Sequence, residues 1–303
     1  MKILITGGSG FLGKHLTSML KKINSKHQIV SISSSDIDLR ISGALHKLND
    51  IKFDKIYHLA AWTQAGDFSL YHSAEQWINN QLINSNFLNW WKENQRQSKI
   101  ISIGTSCSYE EGSNLDEKDY LNGQPLKSLY AYGMTKRMLL IGQQTLAKQF
   151  GLKHLTFVPS TLYGPGYEID GKNSHFIFDI ILKILRAKKY NTKVELWGDG
   201  CQKREIVHVF DFINQMLILE KNCENEVVNI GAGKEFEIRH FTKIICDIVG
   251  YQYEKIIFNK KKFTGVKSKK LSIKKLKKLI PNYVSISLRD GLLETINYLE
   301  KKI

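Results

Sequence analysis

Apolar and polar positions follow two periods along the first half of the chain. Residues 2–6 form an uninterrupted apolar run of strand length. Residues 15–21 continue at helical spacing after a glycine-rich interval. Residues 28–33 read as a second strand, 36–40 as a short polar-flanked segment and 42–48 as a short helix. Residues 55–60 (KIYHLA) form a strand that runs into small side chains. A long helix over 74–92, a buried strand over 99–104, a second long helix over 129–150 and a strand over 154–158 follow. This alternation predicts an α/β fold, a parallel sheet covered by helices on both faces. Beyond residue 160 the pattern is less regular, with strands expected at 205–209 and 227–230. Helices are expected at 174–187, 239–250, 271–279 and 288–302. No linker-like stretch and no repeat divides the halves. The expected organisation is a dinucleotide-binding domain over 1–160, joined by the later strands near 205–230. A smaller, interleaved substrate-binding region over 161–303 completes it.

The interval after the first strand reads Gly7-Gly8-Ser9-Gly10-Phe11-Leu12-Gly13. Strand, glycine-rich turn and helix in that order predict a Rossmann-type nucleotide site. Gly7 turns the chain off the strand, Gly10 admits a pyrophosphate close to the backbone, and Gly13 lets the helix pack against the sheet. The helix start offers free N–H groups to phosphates. A carboxylate ending the second strand would favour NAD. Here that strand runs into Ser33, Ser34 and Ser35, with no arginine beside them, so NADP is favoured over NAD unless the serines are simply loop. Asp38 and Leu39 are placed to touch the adenine.

Composition excludes more than it selects. Of 303 residues, 42% are hydrophobic and 24% charged, which is ordinary for a globular protein. No apolar run reaches the roughly 20 residues that span a bilayer, and the glycines interrupt any export signal. The expectation is a cytoplasmic protein without a membrane partner. Cys107, Cys201, Cys223 and Cys246 lack pair spacing and read as free thiols. The net charge of +15 is concentrated in a lysine-rich stretch over 255–278. That stretch lacks interleaved aromatics, so no nucleic-acid partner is expected.

Chemistry is suggested at three places. Tyr132-Gly-Met-Thr-Lys136 sets a phenol and an ammonium four residues apart on one helix face. The lysine is expected to lower the tyrosine pKa, ordinarily about 10, and to hold a nicotinamide ribose. Thr105 ends the strand over 99–104, where its hydroxyl can bond the same substrate oxygen. Cys107 lies two residues on, and His175 opens a helix within Asn173-Ser174-His175. Taken singly, Cys107 reads as a small buried residue and His175 as a surface or capping residue.

Together these motifs resemble the extended short-chain dehydrogenase/reductase superfamily. The resemblance spans GGSGFLG, HLAA at 58–61, Asn80, Asn86, the strand-end hydroxyl, YGMTK and Leu162-Tyr163-Gly164-Pro165-Gly166. Within it, S-C-x-Y, N-S-H and Trp197-Gly-Asp-Gly with Lys203-Arg204-Glu205 are similar to the GDP-L-fucose synthase family. Members of that family are GDP-4-keto-6-deoxymannose 3,5-epimerase/4-reductases, and related reductases act on GDP-4-keto-6-deoxyheptoses. The resemblance implies catalytic roles for Thr105, Tyr132, Lys136, Cys107 and His175, with the cysteine and histidine as base and acid in epimerisation. It implies NADPH contacts from Gly7, Gly10, Phe11, Leu12, Gly13, Ser33, Ser34, Asp38, Leu39, Leu59, Ala60, Ala61, Tyr132, Lys136, Pro159 and His175. It places the GDP-linked keto-deoxy sugar against Ser106, Cys107, Lys183, Trp197, Arg204 and Lys270, the last from a basic pair with Lys269. A homodimer through the helices at 74–92 and 129–150 is expected by the same resemblance, and no metal.

The chain departs from the family at Glu110-Glu111-Gly112, where Pro-Lys is usual, and in the loop over 65–71, which lacks a glycine-rich run. Both loops bear on the sugar, so hexose and heptose stay open, as does epimerisation. A nucleotide-sugar 4-epimerase or 4,6-dehydratase is the rival of the same class. A non-catalytic dinucleotide-sensing protein is the rival of another class, and the intact Thr105, Tyr132 and Lys136 speak against it.

Overall fold

The computed structural model describes residues 1–64, 68–168, 174–262 and 265–303. The expected loop over 65–71 and the N-S-H segment therefore lie partly outside the described residues, at 65–67 and at Asn173. Six parallel strands form the main sheet in the order β2-β1-β3-β4-β5-β10. They are β1 (Lys2–Thr6), β2 (Gln28–Ile32), β3 (Lys55–His58), β4 (Lys99–Ile103), β5 (His154–Pro159) and β10 (Glu226–Ile230). The helices of this half are α1 (Phe11–Ile23), the single-turn α2 (Phe68–Tyr71), α3 (Ser73–Asn94), α4 (Tyr130–Phe150) and α6 (Val209–Leu219). The fold is the Rossmann-type α/β architecture expected.

Successive side chains of a strand point to opposite faces, and β1 shows the consequence. Ile3 and Ile5 join a core with Leu16 and Leu20 of α1 and with Phe212, Ile213 and Met216 of α6. Leu4 points the other way, into a core with Phe87, Trp90 and Trp91 of α3. A strand buried on both faces needs no polar alternation, which is why KILIT is an unbroken apolar run.

The remaining elements are β6 (Thr161–Tyr163), α5 (Phe176–Tyr190), β7 (Val194–Trp197), β8 (Lys203–Arg204), β9 (Ile206–His208), β11 (Phe236–Glu237), α7 (Ile238–Val249), β12 (Ile256–Asn259), α8 (Lys274–Leu279) and α9 (Leu288–Glu300). A further core gathers α5, α7 and α9 around Ile181, Phe241 and Leu292. The short strands pair as β6 with β9, β7 with β12 and β8 with β11. Of the two late strands expected to join the main sheet, Glu226–Ile230 does so. Ile206–His208 pairs with Thr161–Tyr163 instead, and Val209, expected to end a strand, opens α6.

The chain passes from β2 on one side of β1 to β3 on the other, so order reverses between β1 and β3. Such a reversal opens a crevice beyond the carboxyl ends of the strands.

Candidate active site

That crevice is a cleft of about 320 Å³. Gly7, Ser9 and Gly10 line it after β1, Ser33, Ser34, Asp38, Leu39 and Arg40 after β2, and Leu59, Ala60 and Ala61 after β3. The glycine turn has the shape its sequence requires. Gly7 has φ +71°, and a Cβ on it would sit 2.8 Å from the Ala60 nitrogen. Gly13 packs against the turn itself rather than the sheet, because its Cβ would fall 2.4 Å from the Gly7 carbonyl oxygen. Gly10 is exposed and gives α1 no side-chain cap, and no acid stands in the first helical turn. The first N–H groups of a helix lack intrahelical partners and here face the cleft end. The side chains of Phe11 and Leu12 turn away into the cores, Phe11 edge-on to Tyr167 and Phe178. Only their backbone can serve a phosphate.

Asp38 and Leu39 reach the cleft from a turn, not from a strand end. The sequence reading finds no arginine beside the serines, yet Arg40 lines the same cleft. Its guanidinium pairs with Asp38, Nη2 to Oδ2 at 2.6 Å. That contact holds the Asp38 carboxyl below its usual range. Asn86 steadies this wall by donating to the Leu39 carbonyl at 2.9 Å, and Asn80 binds both the N–H and the carbonyl of Trp62. Glycine turn, helix start, hydroxyls and guanidinium together fit a dinucleotide with a 2′-phosphate.

The reacting groups sit past β4 and on the first turns of α4. Thr105 is buried, and its Oγ1 accepts from the Cys107 N–H at 3.2 Å. With that lone pair used, the hydroxyl proton remains to be donated to a substrate oxygen. The Tyr120 hydroxyl accepts from the Thr105 N–H at 3.2 Å. Gly133 lets α4 close on this loop, because a Cβ there would meet the Cys107 carbonyl oxygen at 3.0 Å and Pro125 at 2.7 Å. Ser108 Oγ donates to the Gly133 carbonyl, and the buried Arg137 donates to the carbonyls of Ser108, Asn122 and Gly123. The sequence carries no sign of this role beyond a second cation beside Lys136.

Tyr132 does not have the lowered pKa expected of it. Burial raises it, and the neighbouring Cys107 and Tyr120 raise it further. The Lys136 ammonium lies 6.0 Å from the centre of the Tyr132 ring, and burial lowers the lysine to about 8. A raised phenol is fully protonated at neutral pH, which suits a proton donor. Below Lys136, His58 stacks on Phe87 at 3.8 Å and shares a 2.9 Å hydrogen bond with Thr6. Burial first, then the Lys136 charge, lowers His58 to about 3, so it is neutral.

On the substrate side, Ser106 lines a narrow crevice with Ser160, Thr161, Arg204, Glu205, Lys269 and Leu271. Lys269, not Lys270, is the lysine of the basic pair that faces the site. It is part-buried and donates from Nζ to the Cys107 Sγ at 2.9 Å, whereas Lys270 is exposed. His175 stands at the N-terminus of α5, where its side chain makes no capping hydrogen bond and is solvent-accessible. Desolvation by the protein packed about the ring, followed by the Lys269 charge, lowers its pKa. Cys107 and His175 thus share one cationic neighbour. Arg204 is part-buried and donates to the Val266 carbonyl at 2.7 Å. Lys183 pairs with Asp179 at 2.8 Å on its own helix, and Trp197 is 51% exposed with Lys262 over its ring. Pro159 ends β5. Among the described residues no cluster of His, Cys, Asp or Glu could hold a metal.

Known proteins match this arrangement. The chain is 26% identical to the GDP-L-fucose synthase of Dictyostelium discoideum over 303 residues, covering 98% of this chain and 94% of that one. A GDP-L-fucose synthetase from Naegleria fowleri bound to NADP superposes with a TM-score of 0.88 at 23% identity, over 99% of this chain and 94% of that one. A GDP-6-OMe-4-keto-L-xylo-heptose reductase from C. jejuni superposes with a TM-score of 0.88 at 21% identity, over 100% and 98%. Both solved structures share this fold. The model of the NAD dependent epimerase/dehydratase family matches residues 3–231, the stretch that carries the glycine turn, Thr105, Tyr132 and Lys136, and the chain belongs to that family.

Proposed function

We propose that the protein is an NADPH-dependent reductase of a GDP-linked 4-keto-6-deoxy sugar, hexose or heptose, acting at C4 and able to epimerise at C3 and C5. The observation that carries the reading is the meeting of Thr105, Cys107 and Tyr132 beyond β4, with Lys269 on the Cys107 sulfur. The nicotinamide, when bound, supplies a hydride. Tyr132, protonated at neutral pH, gives its proton to the oxygen at C4, and the Thr105 hydroxyl donates to the same oxygen. Lys136 holds the ribose beside them. Arg40 and Ser34 take the 2′-phosphate, an anion that a guanidinium can bind with two parallel hydrogen bonds, beside Ser33, whose hydroxyl donates to Asp36 at 2.7 Å.

Epimerisation needs a base and an acid flanking a carbon made acidic by the neighbouring carbonyl. Cys107 takes that proton as the C–H bond breaks and its electrons pass to the carbonyl oxygen. His175 returns a proton to the other face. Its lowered pKa makes it a strong donor present in a small protonated fraction near neutrality. Ser106, Arg204 and Trp197 then face the nucleotide diphosphate.

NADPH oxidation with GDP-4-keto-6-deoxymannose and its heptose counterpart tests this, with products identified by mass spectrometry and NMR. No NADPH oxidation with either sugar refutes the substrate assignment. The variant Cys107→Ala should lose epimerisation and still reduce an already epimerised ketone. A homodimer belongs to the same proposal. α3 and α4 pack side by side and expose Ile78 and Leu82 on one, Met138 and Ile141 on the other.

A further inference from the structure

The stretch over 266–271 lies alongside residues 203–205 and is tied to them at both ends. The Lys203 N–H donates to the Lys267 carbonyl at 2.8 Å, and Arg204 Nη1 donates to the Val266 carbonyl at 2.7 Å. At the far end, Glu205 Oε2 accepts from the Leu271 N–H at 2.8 Å. Its other oxygen, Oε1, accepts from the Gly233 N–H at 2.6 Å. Gly231 packs so close that a Cβ there would lie 2.6 Å from the same oxygen. Ser268 Oγ donates to Glu235 at 2.7 Å. One carboxylate, 3% exposed, therefore joins three chain segments, and Lys269 is the residue of the strap that reaches the Cys107 sulfur.

We propose that Glu205 is a positioning residue that, through the backbone of the strap over 266–271, seats Lys269 on the Cys107 sulfur. Both carboxylate oxygens are engaged as acceptors, and the ionised form serves both N–H bonds best. A protonated acid keeps a strong acceptor on only one oxygen, so one tie is weakened. The charged groups that bear on Glu205 are Lys270, which favours ionisation, and Glu235, which opposes it. Arg204, its chain neighbour, and Lys269 line the same crevice. Burial outweighs them and raises its pKa to about 7. Ionisation is thus lost, and the seat loosened, as pH falls through about 7. The part this plays in turnover rests on the reading of Cys107 as the base, whereas the seating itself does not.

Alkylation by iodoacetamide, followed by mass spectrometry, tests the seating without substrate. The exposed Cys201 serves as an internal reference. A cation in contact with a sulfur speeds its alkylation, because the anion is the nucleophile. At about pH 8, Lys269→Met should lower the Cys107 to Cys201 ratio two- to about fourfold, and Glu205→Gln should lower it by a smaller factor. The double variant should be no lower than Lys269→Met alone, because residues acting as one unit are not additive. In the wild type, the factor that depends on Lys269 should fall as pH drops through about 7, where Glu205 takes up its proton. This last comparison needs no substitution at Glu205, so the proposal stays open to refutation if Glu205→Gln fails to fold. An unchanged ratio in Lys269→Met, an additive double variant or a factor independent of pH overturns it. If the ratios behave as stated while no GDP-keto sugar is reduced, the seating stands and the catalytic reading falls.

Discussion

At the residue scale, the long-range placements carry the chemistry. Arg40 was invisible as a ligand because it lies seven residues beyond Ser33, with a turn between them whose path the sequence does not reveal. The turn returns it to the cleft, where Asp38 orients its fork. If Arg40 meets a 2′-phosphate, Arg40→Ala should raise KM for NADPH ten- to about a hundredfold, the worth of a charge-assisted contact of roughly 1.5–3 kcal/mol. KM for NADH should move little. Steady-state kinetics with both coenzymes checks this, and an equal loss for the two would place Arg40 outside phosphate recognition. Tyr132 teaches the converse lesson. The four-residue spacing to Lys136 is plain in the sequence, but the direction of the tyrosine shift is set by burial and by Cys107 and Tyr120, which arrive from elsewhere.

At the element scale, legibility followed the clarity of the boundaries. β1, α3 and α4 end at glycine, polar or turn residues and lie within two residues of where their patterns place them. α6 was missed. The stretch VHVFDFINQMLIL passes from β9 into the helix at Val209 with no loop, and its apolar residues crowd nearly all round the helix. A helix buried on most sides loses the polar face by which it is recognised. The glycine turn was legible because strand, turn and helix are contiguous. Gly13→Ala tests its packing. The added methyl would meet the Gly7 carbonyl oxygen and the Gly8 Cα at 2.4 and 2.8 Å, and overpacking of this kind costs about 1–3 kcal/mol. A lower Tm and weaker NADPH binding are expected together. Unchanged Tm would show that the turn relaxes freely.

At the scale of the whole molecule, two bodies of packing meet at the site. The main sheet and its helices present the cofactor cleft, and the core of α5, α7 and α9 supports His175. Ile78, Leu82, Met138 and Ile141 form an apolar face on α3 and α4 that a second copy would cover. Light scattering after gel filtration should give a dimer for the wild type and a monomer for the paired variant Ile78→Lys and Ile141→Lys. A monomeric wild type removes the dimer from the proposal.

By itself the sequence determined most strands and helices of the first half, where the chain turns on glycine, and that Tyr132 and Lys136 share a helix face. These depend on residues close together in the chain, whose spacing maps directly on to local geometry. Only the tertiary structure decided that Lys269, 162 residues from Cys107, rests on its sulfur. The same holds for Glu205, which ties that strap down, and for burial, which sets Tyr132, Lys136 and Glu205 away from their ordinary pKa values. Contacts at such separation follow from the path of the whole backbone, and burial is a property of everything that surrounds a group.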